Sequence, residues 1–164
     1  MAVEYKELLR AMFVHDQGDA KRIQHMLKVH EFARLIGLEE GLEEQVQHIL
    51  ETAAIVHDIG IRPAEEKYGN CNGKLQEQEG PPVAEKLLAE LGYDEYVIKR
   101  VSWLVGHHHT YTDVHCMEHQ ILLEADFLVN LFEDGCEMET IRHTYDSMFR
   151  TTAGKEICKT MFGV

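Results

Sequence analysis

The segment AAIVHDIG sets a histidine and an aspartate side by side at the end of an apolar helical run. Leu50, Ala53, Ala54 and His57 fall at i, i+3, i+4 and i+7 of one helical face, and Asp58 follows the equally inward Ala54 by four residues. An imidazole and a carboxylate thus point toward a core, where burial is costly unless a partner compensates; a divalent cation compensates both. His25 repeats the pattern in RIQHMLKVHEFA, because Val29, Phe32 and Ile36 lie at i+4, i+7 and i+11 from it. Asp126 repeats it in LLEADFLVNL, with Leu122 at i−4 and Val129 at i+3, and a buried Asp needs a partner. Hydrogen bonding inside a core explains any one of these residues alone. Together they make two imidazoles and two carboxylates on three helices, a mixed N/O set suited to Fe, Mn, Co, Ni, Zn or Mg. A second His-Asp pair, His15 and Asp16 in VHDQGDA, lies beside turn formers without an apolar frame and is expected in a solvated turn.

The elements that must position these side chains are helical. Ile23, Met26, Leu27, Val29, Phe32, Ala33 and Ile36 trace one helix, with Gly37 as its stop. A second is predicted over residues 42–59, ending near Gly60 and closed by Pro63. Residues 66–82, EKYGNCNGKLQEQEGPP, are rich in Gly and Asn and lack an apolar period, which predicts a long loop of the kind that serves as a lid or binding loop. Pro81 and Pro82 stand where a helix can begin, and VAEKLLAEL follows. Asp94 can cap the next helix, which runs through Val97, Ile98, Val101, Trp103, Leu104 and Val105 into His107, His108 and His109. Another surrounds Ile121, Leu122, Ala125, Leu128, Val129 and Phe132, and one or two more follow Met138, with Gly154 as a break. The expected class is all-α: a single domain over residues 1–164, a helical bundle with a core over about 20–132, the metal site between helices, and a helical C-terminal extension.

Composition narrows the function classes. The chain has 45% apolar and 27% charged residues, far from the signature of disorder. Its 16 Lys and Arg against 29 Asp and Glu give a net charge of −13, which repels phosphate backbones and anionic membranes. Neither nucleic acid nor membrane is an expected partner, and a small anionic substrate would need a local cation. Cys71, Cys116, Cys136 and Cys158 show no CxxC spacing, no basic-headed apolar stretch resembles a signal peptide, and no run approaches the ~18 apolar residues of a spanning helix, so a reducing cytoplasm is expected. Oligomeric state leaves no trace in the composition.

In RIQHMLKVHEFA, AAIVHDIG and LLEADFLVNL the chain resembles the HD-domain metal-dependent phosphohydrolases, whose pattern is a His on one helix, an adjacent His-Asp on the next and a distant Asp. The resemblance covers about residues 20–132. It implies that His25, His57, Asp58 and Asp126 bind one divalent metal, and that the protein hydrolyses a phosphomonoester or phosphodiester, often of a nucleotide. Members with two metals add histidines. Here GHHHTY offers His108, with His107 or His109 as companion, whereas the position before EGPPVAEKLLAELG offers only Gln76, Glu77 and Glu79. For phosphoryl transfer, Arg22, Arg62 and Lys74 are candidates to hold substrate phosphate, Glu77 or Glu79 to orient water, and Asp58 to act at the catalytic centre. The same scaffold also carries di-iron oxygenases, and a non-catalytic metal- or nucleotide-binding module is a third expectation.

Overall fold

Four side chains start helices where capping chemistry requires, one of them Thr151, which accepts from the Gly154 amide. Asp19 accepts from the Arg22 amide, Asn72 from the Leu75 amide and Asp94 from the Tyr96 and Val97 amides, each satisfying donors that the first turn leaves open. The computed structural model describes residues 5–164, and among them it holds nine helices and no strand. They are α1 (Lys6–His15), α2 (Ala20–Glu39), α3 (Glu44–Val56), α4 (Ile61–Tyr68), α5 (Gly73–Glu90), α6 (Glu95–Val105), α7 (Met117–Glu133), α8 (Met138–Met148) and α9 (Thr152–Phe162). The expected all-α class holds, and no helix among the described residues is long and apolar enough to cross a membrane.

The core lies where α2 packs on α3 and α7, and α3 on α6. Val29, Ala33 and Ile36 of α2, Leu50, Ala53 and Ala54 of α3, and Leu122, Ala125 and Leu128 of α7 are fully buried. Each large apolar side chain removed from water there contributes about 1.5–3 kcal/mol. α5 lies against α4 and α6 on one side of this core, while α9 touches α2 and α7.

The expected loop over 66–82 is mostly helix. Pro63 falls in the first turn of α4, where its missing N–H has no intrahelical partner to lose, so it opens a helix instead of closing one. A short break follows at Gly69, whose φ of 66° ends α4 in the left-handed region. α5 then runs straight through Pro81 and Pro82. Its buried stripe is Gln76, Gly80, Ala84 and Leu88, a helical repeat whose first two members are not hydrophobic, which is why no apolar period shows in the sequence.

Two glycines also have roles other than stopping a helix. Gly37 lies inside α2, where a Cβ would collide with Gln47 Oε1 and lie 3.0 Å from Leu50 Cδ2 on α3. Gly154 lies inside α9, where a Cβ would collide with the buried carboxylate of Glu124; the break between α8 and α9 falls at residues 149–151 instead. The second His-Asp pair is no solvated turn: Asp16 is only 5% exposed, and the His15 ring bonds the Ile59 carbonyl at 3.0 Å. It fastens the end of α1 to the turn that follows Asp58.

Candidate metal centre

His57 caps the C-terminus of α3. A helix end leaves carbonyls unpaired, and the His57 Nδ1–H donates to one of them, Ala54 O, at 2.7 Å. That bond fixes the tautomer and leaves Nε2 as a bare lone pair aimed inward. His25 sits on α2 and its Nδ1 donates to Glu133 Oε1 on α7, so its Nε2 is also bare. The two Nε2 atoms lie 3.4 Å apart. Asp58 Oδ2 approaches them at 3.2 Å and 3.3 Å, and Asp126 Oδ1, from α7, at 3.2 Å and 3.5 Å.

Two ring nitrogens and two carboxylate oxygens have converged on one point. Among the described residues Asp126 Oδ1 is buried with no hydrogen-bond donor beyond the two ring nitrogens beside it, an arrangement that costs free energy unless a cation completes it. The ligating atoms of His25, His57 and Asp58 all lie within 4.8 Å of one another, a spacing that fits one divalent ion. Without an ion, protons must stand in. Burial would push the His25 imidazole down, but the Asp126 and Asp58 carboxylates outweigh it and carry it up to about 9. His57 likewise rises against its burial through Asp58 and Asp126. Burial would raise the Asp58 and Asp126 carboxyls, yet the surrounding histidines hold both below the usual carboxylate range.

A second group adjoins the first through Asp58, whose Oδ1 lies 3.4 Å from His108 Nε2. His108 follows α6 in the same manner as His57 follows α3, with Nδ1 donating to Val105 O at 2.7 Å. Asp58, His108 and His109 bring ligating atoms within 4.8 Å of one another. Gln76 stands over them: its Nε2 donates to Cys71 O at 2.6 Å, which turns Oε1 toward His108 Nε2 at 3.2 Å and His109 Nε2 at 2.7 Å. Burial, and then His108 beside it, lowers His109 to about 4.

The structure thus brings together His25, His57, Asp58, Asp126 and His108, with His109 instead of His107 as companion. His107, in the turn after α6, stacks at 4.1 Å on the ring of Trp103 four residues back and bonds the Trp103 carbonyl, so it faces outward. Arg22 reaches the site, with Nη1 3.0 Å from Asp58 Oδ2 and Nε buried without a partner among the described residues. A cavity of about 110 Å³ opens beside it, lined by Lys21, Arg22, His25, Asn130, Glu133 and Asp134. A larger one of about 440 Å³, against Lys6, His48 and Tyr93, shares no residue with the centre.

The remaining expected residues are engaged elsewhere. The Arg62 guanidinium is committed to the carbonyls of His15 and Gln17. Lys74 is exposed in the first turn of α5. Glu79 accepts from Lys67 and Tyr68 on α4. Glu77 accepts from the Thr110 hydroxyl at 2.7 Å and the His109 amide at 3.3 Å, so it ties down the histidine turn instead of facing a free water. Glu133 escaped the sequence reading because a Glu at a helix end is ordinarily solvated; only its i+7 spacing from Asp126, two turns along one face, hinted at it.

Searches of curated proteins and of solved structures return no match. A family model described as HD domain matches residues 22–131 of the 164, a stretch that contains all the converging histidines and aspartates of both groups. The chain belongs to the HD-domain family.

Proposed function

We propose that the protein is a metal-dependent hydrolase of a small, nucleotide-like phosphate ester, with His25, His57, Asp58 and Asp126 holding the ion. The observation that carries this reading is the meeting of two bare Nε2 atoms with two carboxylates, one oxygen of which has no donor among the described residues beyond those two nitrogens. A divalent ion bound there lowers the pKa of water toward ~7 and polarises a phosphoryl oxygen. The protein supplies the rest. Ala54 O and Glu133 keep the two imidazoles turned inward. Asp58 stands between the two groups, one oxygen toward each, and so would link them if both held an ion. Arg22, paired to Asp58 and lining the adjoining cavity, offers a guanidinium to the spread equatorial charge of the phosphoryl group. The net charge of −13 disfavours a polynucleotide and leaves a small substrate drawn by the local cations.

The test is hydrolysis of p-nitrophenyl phosphate and bis-p-nitrophenyl phosphate by the full chain with added Mn²⁺ or Co²⁺. Turnover abolished by Asp58→Ala supports the reading. Tight nucleotide binding with no turnover of any phosphoester would favour a non-catalytic module instead. The shared Asp58 favours a second reading, an oxygenase using two irons and O₂. A mixed-valent di-iron spectrum with O₂ consumption would support that reading over hydrolysis.

A further inference from the structure

We infer that Glu133 is a positioning residue for the metal centre, setting the tautomer and ring orientation of His25 from behind. The inference rests on the reading of His25 as a ligand, and goes beyond it to a residue two positions past the stretch matched by the family.

The place of each histidine on its helix decides what can accept its Nδ1–H. His57 and His108 follow helix ends, and each finds its Nδ1–H acceptor in a carbonyl three residues back. His25 lies in the interior of α2 (Ala20–Glu39), where the backbone carbonyls are already occupied by the helix's own ladder. No carbonyl is free to accept its Nδ1–H, so orientation must come from a side chain on another helix. Glu133, the last residue of α7, supplies it: Oε1 meets His25 Nδ1 at 2.5 Å.

The carboxylate is itself held. Lys28, three residues after His25 on the same helix, donates to Glu133 Oε2 at 3.0 Å, and the Glu133 side chain is only 10% exposed. Asp126 and Glu133 are seven residues apart on α7, so one face of this helix touches the centre twice, once directly and once through the back of His25. Removing the acceptor lets the ring flip or move its proton to Nε2, which takes the lone pair away from the ion. Outer-shell partners of this kind change metal affinity by roughly 10- to 100-fold.

The experiment is a Co²⁺ titration of metal-free full-length protein, followed by visible absorption and calorimetry, on wild type and on Glu133→Ala, Glu133→Gln and Glu133→Asp. Glu133→Ala should weaken the Co²⁺ Kd by roughly 10- to 100-fold and alter the Co²⁺ absorption band. Glu133→Gln, whose amide oxygen still reaches Nδ1, should recover most of the affinity. Glu133→Asp, which keeps the charge but falls one methylene short, should bind more weakly than Glu133→Gln. Wild-type Kd and spectrum in Glu133→Ala would overturn the inference. So would Glu133→Asp binding more tightly than Glu133→Gln, an order that remains measurable even should the alanine variant fail to fold. A change confined to thermal unfolding of the metal-free protein would also count against it. Wild type that binds no Co²⁺, or that binds it no better than His57→Ala, would instead defeat the metal reading, and the inference with it.

Discussion

Gly60 and Gly80 cross backbone to backbone: a Cβ on Gly60 would lie 2.7 Å from the Gly80 nitrogen and 2.8 Å from its Cα. This contact presses the turn after His57 and Asp58 against α5, the helix that carries Gln76. Gly60 has φ −79°, so alanine is allowed there by its own backbone and excluded only by its neighbour. Gly60→Ala should cost about 1–3 kcal/mol through overpacking, or roughly 2–12 °C in Tm. It should also weaken metal binding, because Asp58 and Gln76 flank the crossing. Thermal unfolding with and without Mn²⁺ checks both effects.

The helices that carry the candidate ligands were legible because these residues interrupt strong apolar periods: a His or Asp on the face shared by Val29 and Ile36, or by Leu122 and Val129, announces itself. α5 was not legible. Its inward face begins with Gln76 and Gly80, chosen for what they touch, a histidine pair and a backbone, and such residues imitate a loop. The choice between His107 and His109 was equally hidden, since it turns on how far α6 continues before the turn and on the stacking of His107 over Trp103. Glu133 and Arg62 show the same limit in opposite directions. A charged residue's role depends on which helix lies opposite, and local sequence does not encode that.

Gln76 offers a neutral oxygen where its two histidine neighbours and Asp58 leave room for a carboxylate. Gln76→Glu should tighten binding of a second divalent ion by roughly tenfold, because ligand charge count sets affinity at such sites. The same change removes the bond from Gln76 Nε2 to Cys71 O, so the metal-free protein should lose about 1–3 kcal/mol. Calorimetric titration with Mn²⁺ resolves the second binding event, and thermal unfolding in chelator resolves the cost.

Away from the centre, Glu51 accepts from His30 Nε2 at 3.1 Å and Gln47 Nε2 at 2.9 Å. Burial would raise its carboxyl, but these bonds outweigh it and hold the group below its ordinary 4.5. A carboxylate depressed in the folded state contributes stability that is present above pH 4.5 and lost as pH falls through its folded value. Glu51→Gln should therefore cost about 1 kcal/mol at neutral pH, and the difference from wild type should close as pH falls below 4.5 and through the folded value. Urea unfolding across that range checks the sign.

The most direct test of the central claim is the divalent-metal content of purified wild type, His57→Ala and Asp126→Ala, measured by element analysis on the same folded preparations. Wild type should carry at least one ion per chain, and either variant little or none. Equal metal content in wild type and His57→Ala would contradict it.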